Sequence, residues 1–294
     1  ALIGASDKAG SVGRAILENL ILFKEGKVFP VNPNRKEVLG FTCYSAIASV
    51  PEGIDLAVIA TPAPGVPGVI EECGKKGVQG IVIISAGFKE IGEEGKRLEK
   101  EIKEIRERYR MRIIGPNCLG IINTDPEVRL NATFARKMPQ SGNLAFISQS
   151  GALGSAILDW AVNAYIGFSM FASLGSMIDV DFGDLIDYFG TDPKTKSILM
   201  YIEGITDARK FMSAARHFAR TKPIIVVKAG KFSESARAAA SHTGSLTGED
   251  MIYDKAFKRA GMVRVEEIAD LFNGAAVLGT QPTPRGPNLA IITN

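Results

Sequence analysis

Histidine is nearly absent from this chain: His217 and His242 are the only two in 294 residues. Catalysis by a histidine pair or a histidine-rich metal site is therefore hard to build. Cysteine is also scarce, with Cys43, Cys73 and Cys118 scattered and odd in number. That excludes a disulfide framework, shows no metal-ligand spacing, and points to a reducing cytoplasm. No apolar run reaches the ~18 residues of a transmembrane helix, and no signal peptide is visible. An excess of one charge is missing too: 35 basic residues face 32 acidic ones, for a net charge of +3. Such balance argues against nucleic acid or a membrane surface as partner. What is present is an ordinary globular composition, 46% hydrophobic and 23% charged, with a length suited to about two domains.

Short apolar runs alternate with helical patterns. "ALIG", "VFPVN", "DLAVIAT", "GIVIIS" and "MRIIG" read as strands. Between the last two lies "EEGKRLEKEIKEIRERYR", with Leu98, Ile102 and Ile105 on one face. Such β-α-β alternation predicts a parallel sheet buried by helices over residues 1–125. The polar "NTDPEVRLNATFARKMPQSGN" then interrupts the rhythm and reads as an inter-domain crossing. The pattern restarts with "LAFIS", "GFSMFASLG", "SILMYIE" and "PIIVVKAG", and helices are predicted at 152–162, 182–189 and 208–218. A helix in "VEEIADLFNGAAVL" closes this second domain, 126–280. Residues 281–294 read as a spacer and the first strand of a third α/β unit. Since the chain opens inside a strand without Met, an upstream piece is also expected.

The first turn, "GASDKAGSVG", runs from a strand into a helix. Gly4, Gly10 and Gly13 do not make the G-x-G-x-x-G dinucleotide fingerprint, but a helix N-terminus still favours phosphate. The alternative is a plain tight turn. No acidic residue ends the second strand to hold an adenosine ribose. Arg35 and Lys36 stand there instead and suit a phosphorylated ribose, either that of NADP or the 3′-phosphate of coenzyme A. "ATPAPG" and "SAGFKE" follow the next strands at carboxyl ends, where open α/β sheets bind ligands.

In the second half, "FISQSGALGSAILDW" takes a strand directly into a helix at Ser150 and Gly151. This is simple capping or an anion site that Gly151 leaves open. The order S-x-S-G is not a nucleophile elbow. Glu203 ends the strand "LMYIEG", and His242 lies in "AAASHTGSLTGED" among small and hydroxyl residues. Each alone reads as a surface residue. Together they make chemistry: a carboxylate on one imidazole nitrogen fixes the tautomer and leaves the other nitrogen as nucleophile. Because "PIIVVKAG" is expected beside Glu203's strand, both residues should emerge at one carboxyl edge. His217 falls on the polar side of a helix and reads as solvated.

In combination, "GASDKAGSVG", "GPNCLG", "SQSGALG", "YIEG" and "ASHTGSLTG" resemble the alpha part of the NDP-forming acyl-CoA synthetases. These are relatives of the succinyl-CoA synthetase alpha subunit, and the pattern is most like the ADP-forming acetyl-CoA synthetases. The motifs span nearly the whole chain in the family's order. The resemblance implies a Rossmann-like domain that binds coenzyme A and a flavodoxin-like parallel α/β domain that carries a transient phosphohistidine. It puts the phosphohistidine at His242, the supporting carboxylate at Glu203 and the phosphate site at Ser150, Gly151 and Ala152. Coenzyme A would be held by Gly4, Ser6, Asp7, Gly10, Ser11, Val12, Asn32, Arg35, Lys36, Thr61, Pro62, Ala63, Ser85, Ala86, Gly87 and Asn117. The implied reaction interconverts acyl-CoA, ADP and phosphate with acid, coenzyme A and ATP, through an acyl phosphate and phospho-His242. ADP or ATP and Mg²⁺ would sit on an ATP-grasp partner, a separate beta subunit or a fused region, in a hetero-oligomer or dimer. No Walker A or ATP-grasp pattern is readable here. One departure is Ser155, where succinate enzymes have Tyr, so the acyl pocket need not suit a dicarboxylate. The alternative is a coenzyme A-binding regulatory module, such as those fused to protein acetyltransferases, which tend to lack the reactive histidine. An NADP oxidoreductase leaves the second domain's motifs unexplained.

Overall fold

The computed structural model describes residues 1–230, 250–280, 286, 288 and 290–293. The expected phosphohistidine, His242, lies outside the described residues.

The first sheet is built from β1 (Leu2–Ile3), β2 (Pro30–Val31), β5 (Leu56–Ile59), β6 (Gly80–Ile83) and β7 (Arg112–Ile114). Its order is β2-β1-β5-β6-β7, parallel throughout. Leu2, Val58 and Val82 pack against α1 (Val12–Leu20), whereas Ile59, Ile81 and Ile83 pack against α2 (Val66–Lys76) and α3 (Glu93–Tyr109). The strands are apolar on both faces because helices cover both. Leu98, Ile102 and Ile105 form the buried face of α3, as the spacing predicts. A short hairpin, β3 (Glu37–Val38) with β4 (Phe41–Thr42), was not foreseen.

A second sheet has the order β14-β13-β12-β10-β11-β8-β9, with β8 at Gly120–Asn123 and β9 at Leu130–Thr133. Its parallel strands are β10 (Gln140–Ser148), β11 (Gly167–Ser173), β12 (Ser197–Ile202), β13 (Ile224–Lys228) and β14 (Val263–Val265). On one face lie α5 (Phe182–Thr191), α6 (Ala208–Phe218) and α7 (Asp250–Ala260). The other face is covered by α4 (Gly151–Asn163) and α8 (Ile268–Thr280).

The polar stretch after residue 122 is not a bare crossing. It contains β9 (Leu130–Thr133), which pairs antiparallel with β8 (Gly120–Asn123) at the edge of the second sheet. Asn131 and Thr133 are buried there, with the Thr133 hydroxyl and backbone N–H both donating to Asn131 Oδ1, at 2.7 and 3.2 Å, while Asn131 Nδ2 is left without a hydrogen-bond partner. The expected boundary at 125/126 falls inside this hairpin. From α1, Asn19 donates its amide to the carbonyls of Thr133 (2.8 Å) and Ala135 (2.9 Å), tying the first sheet's layer to the hairpin. Ser176 N–H donates to Pro116 O at 2.9 Å, and Leu119 N–H to Ser173 Oγ at 3.0 Å, so the "GPNCLG" turn joins the two sheets. Of the spacer and third-unit strand expected over 281–294, residues 286, 288 and 290–293 are described and pair with neither sheet, and the others lie outside the described residues.

Candidate functional site

The helix start after β10 is assembled by backbone chemistry. Ser150 is the N-cap of α4, its side chain accepting from Leu153 N–H at 3.3 Å. Ser148 Oγ donates to Ser150 O at 2.7 Å and holds the turn. The amides of Gly151 and Ala152 then have no intrahelical acceptor, since the first turn never does. A Cβ on Gly151 would stand 3.3 Å from Leu119 N, so glycine keeps this start tight against the inter-sheet turn. With the helix dipole behind them, two bare amides suit an anion.

Glu203 follows β12 and is 7% exposed. Its backbone N–H and that of Gly204 both donate to Gln149 Oε1, at 2.8 and 2.9 Å. One buried glutamine thus fixes the carboxylate's backbone to the turn that starts α4. Burial, then the Glu203 charge, pushes the Tyr201 phenol up. Lys228, at the end of β13, is 6% exposed; it donates to Ala229 O at 2.5 Å and stands 4.5 Å over the Tyr253 ring. Burial lowers its pKa, against the pull of Asp250 and Glu203.

The carboxyl ends of the first sheet converge on the same place. Ser85 Oγ donates to Thr61 O at 2.5 Å, and Asn117 N–H to Ser85 O at 2.9 Å, linking the turns after β5, β6 and β7. Gly4, at φ 95°, closes the turn after β1; a Cβ would meet Ala60 O at 2.6 Å, so only glycine fits.

A cavity of about 850 Å³ joins these parts, near the top of the usual 300–1,000 Å³ range for small-molecule sites. It brings together ten of the expected site residues: Val12, Thr61, Pro62, Ser85, Ala86, Asn117, Ser150, Gly151, Ala152 and Glu203. Gly10 and Ser11 line an adjoining groove with Val12, Arg14 and Phe134. Gly4, Ser6, Asp7, Asn32, Arg35, Lys36 and Gly87 line neither, and Ala63 packs into the first core. Arg35 sits outside the cavity against Asp7 at 3.2 Å, both half-exposed. Asn32 donates to Ala5 O at 2.8 Å and shapes the first turn. His217 is exposed on α6, edge-on to Phe218.

Lys89, Glu90, Phe134 and Gln149 also line the cavity and were missed. Gln149 carried a signal as the second letter of "SQSG", and Lys89 and Glu90 as the last two of "SAGFKE"; Phe134 carried none. Cys118 lines the wall as well, but burial pushes its thiol up to about 12 and it donates to Ile83 O at 3.2 Å. A thiol held protonated is no nucleophile. Among the described residues no group of His, Cys, Asp and Glu could hold a metal, and no helix is long and apolar enough to cross a membrane. Coenzyme A fits the first-domain wall: Thr61 Oγ1 is buried there without a hydrogen-bond partner, an opening for a polar ligand.

The geometry defines a two-domain α/β protein whose two sheets, one parallel and one mainly so, present their turns to one cavity, a bare helix start and a buried carboxylate on one side, strand-end turns on the other. Known proteins share this fold. A CoA binding domain matches residues 1–124, and a succinyl-CoA ligase like flavodoxin domain matches residues 141–278. The chain is 48% identical along its whole length to an ADP-forming acetate–CoA ligase I of Archaeoglobus fulgidus, of which it covers 42%. It is 46% identical to the alpha subunit of ADP-forming acetate–CoA ligase I of Pyrococcus furiosus, covering 64% of that subunit. A solved acetyl-coenzyme A synthetase 1 of Ca. Korarchaeum cryptofilum, in complex with phosphate and ADP, superposes with a TM-score of 0.91 at 44% identity, over 97% of this chain and 61% of that one. The chain belongs to the NDP-forming acyl-CoA synthetase family. It carries that family's Rossmann-like CoA-binding and flavodoxin-like domains, and spans less than two thirds of the length of these relatives.

Proposed function

We propose that the chain is the coenzyme A-binding, phosphohistidine-carrying part of an ADP-forming acid–CoA ligase of the acetate type. The observation that carries this reading is the shared cavity, in which the bare amides of Gly151 and Ala152 and the carboxylate-bearing turn at Glu203 face the strand-end turns of the first sheet. Coenzyme A belongs to the first domain, residues 1–125, and phosphoryl handling to the second, residues 126–280. Phosphate displaces coenzyme A from the acyl thioester, forming an acyl phosphate and releasing the thiol. His242 then takes the phosphoryl group and releases the acid. Glu203 orients the imidazole and stabilises its cationic form. The helix start of α4 supplies N–H donors to an anion of about −1.5 to −2 charge. ADP and Mg²⁺ belong on an ATP-grasp partner, separate or fused, in a soluble cytoplasmic assembly. Retention of Glu203 and the SQSG turn on one cavity favours the ligase over a regulatory module.

The test is incubation of the chain and its purified partner with γ-labelled ATP. An acid-labile, base-stable phosphoryl bond that disappears in His242→Ala, with coenzyme A binding intact, is expected. A label found on another residue, with His242→Ala still turning over, sinks the mechanism.

A further inference from the structure

Glu90 is a charged group of the cavity to which the proposed reaction gives no task. It stands in the "SAGFKE" turn after β6. Its Oε1 accepts the Gly87 N–H at 2.7 Å, which pins the carboxylate. Oε2 is buried and has no hydrogen-bond partner. The adjacent Lys89 does not answer it, because its Nζ is turned to Ser176 O at 3.1 Å. Thr61 Oγ1, on the same cavity, is likewise buried and unpartnered. A buried acceptor left bare is unfavourable, so such a wall suits a ligand that arrives with hydrogen-bond donors.

An ionised carboxylate only accepts hydrogen bonds and repels other anions. That sorts the parts of coenzyme A. Its phosphates cannot lie against Glu90; they match Arg35 and Lys36, outside the cavity. The pantetheine arm is uncharged and brings amide N–H groups. A threonine hydroxyl can donate to the amide carbonyl or accept from the N–H.

Resting on the coenzyme A assignment above, we propose that Glu90 selects the pantetheine arm: Oε2 accepts an amide N–H from it, with the Thr61 hydroxyl as second contact. The carboxylate thereby sets which end of the cofactor enters the cavity.

Calorimetry on the whole chain tests this with coenzyme A, with analogues in which each amide N–H is replaced in turn by an ester oxygen, and with adenosine 3′,5′-bisphosphate. Wild-type protein is expected to bind coenzyme A roughly ten- to a hundredfold more tightly than one of the ester analogues, the effect of one charge-assisted hydrogen bond. In Glu90→Ala that gap closes, while the bisphosphate binds as in wild type, which also shows that the variant is folded. Glu90→Gln keeps part of the gap, since its amide oxygen still accepts. A gap equally wide in Glu90→Ala, or none in wild type, overturns the role of Glu90 and leaves the coenzyme A assignment standing. Wild-type protein that binds neither coenzyme A nor the bisphosphate overturns that assignment, and this inference with it.

Discussion

Two helices in this molecule start in the same way. α1 and α4 each follow a strand, and each is capped by a serine, Ser11 or Ser150, that accepts from an amide three residues on at 3.3 Å. Their surroundings differ. The α1 start is ringed by exposed charges: Arg35 on Asp7, Arg14 on Glu18, and an Arg14 bond to Asp7 O at 2.9 Å. Only Val12 of that start reaches the cavity. The α4 start has no charged side chain in its turn, and Ser150, Gly151 and Ala152 all line the cavity. A cap satisfies a helix end and does not by itself make a ligand site. Location at the junction of two sheets, with a buried carboxylate tied beside it, separates the second start from the first.

The largest expected effect comes from removing the carboxylate's charge beside the second start. Glu203→Gln should leave the fold and coenzyme A binding intact and slow phosphoryl transfer by roughly 10²-fold or more. Wild-type turnover in a rapid-quench assay would leave the carboxylate without a role. Next comes the first start. Arg35→Ala should weaken coenzyme A by about 1.5–3 kcal/mol while leaving dephospho-coenzyme A unchanged, because one charge-assisted phosphate contact is lost. Equal losses for the two ligands, read by calorimetry, would show that Arg35 does not meet the 3′-phosphate.

A smaller effect compares the caps directly. Ser11→Ala and Ser150→Ala should each cost about 1 kcal/mol of stability in urea unfolding. Only Ser150→Ala should also weaken inorganic phosphate. If Ser11→Ala weakens phosphate as much, the two starts are equivalent and the contrast fails.

Smallest near neutral pH is an alkaline difference between the two halves. All three cysteines lie in the first 118 residues. Burial raises Cys43 and pushes Cys73 and Cys118 from an ordinary 9.0 up to about 12. The unfolded chain therefore loses these protons first, so their contribution is complete below pH 9 and is lost between 9 and 12. Lys228, lowered by burial, works the other way in the second half: stability there rises as pH climbs through its folded-state value towards 10.5. From pH 8 to 10 the Tm by circular dichroism should fall further than that from Trp160 fluorescence, which reports α4. Equal shifts would mean the two halves unfold as one.

The strands and the long helix were legible because burial on two faces writes itself as apolar runs. β9 was not, since Asn131 and Thr133 are polar residues buried together, the hydroxyl of one donating to the side-chain oxygen of the other. Turns at strand ends were legible as a class, because topology alone puts them at one edge. Which of them share a cavity was not: Arg35 and Lys36 fall outside, and Ala63 faces the core. Gln149 escaped because its amide oxygen meets N–H groups 54 and 55 residues away. Glu90 escaped because a charged residue in a turn reads as solvated until its neighbours are known.

That glutamine has a consequence for how such a protein can diverge. A single side chain spans from the α4 start to the turn bearing the carboxylate, so it acts as a ruler between the two. Any backbone shift on one side drags the other, and the spacing that phosphoryl chemistry needs cannot drift in small steps. If the proposed function holds, variation in the acyl group is accommodated elsewhere, on walls free of the ruler. Phe134 and Ser155 line the cavity outside both turns. On the proposed function, these are the positions where one acid could be exchanged for another with the chemistry kept.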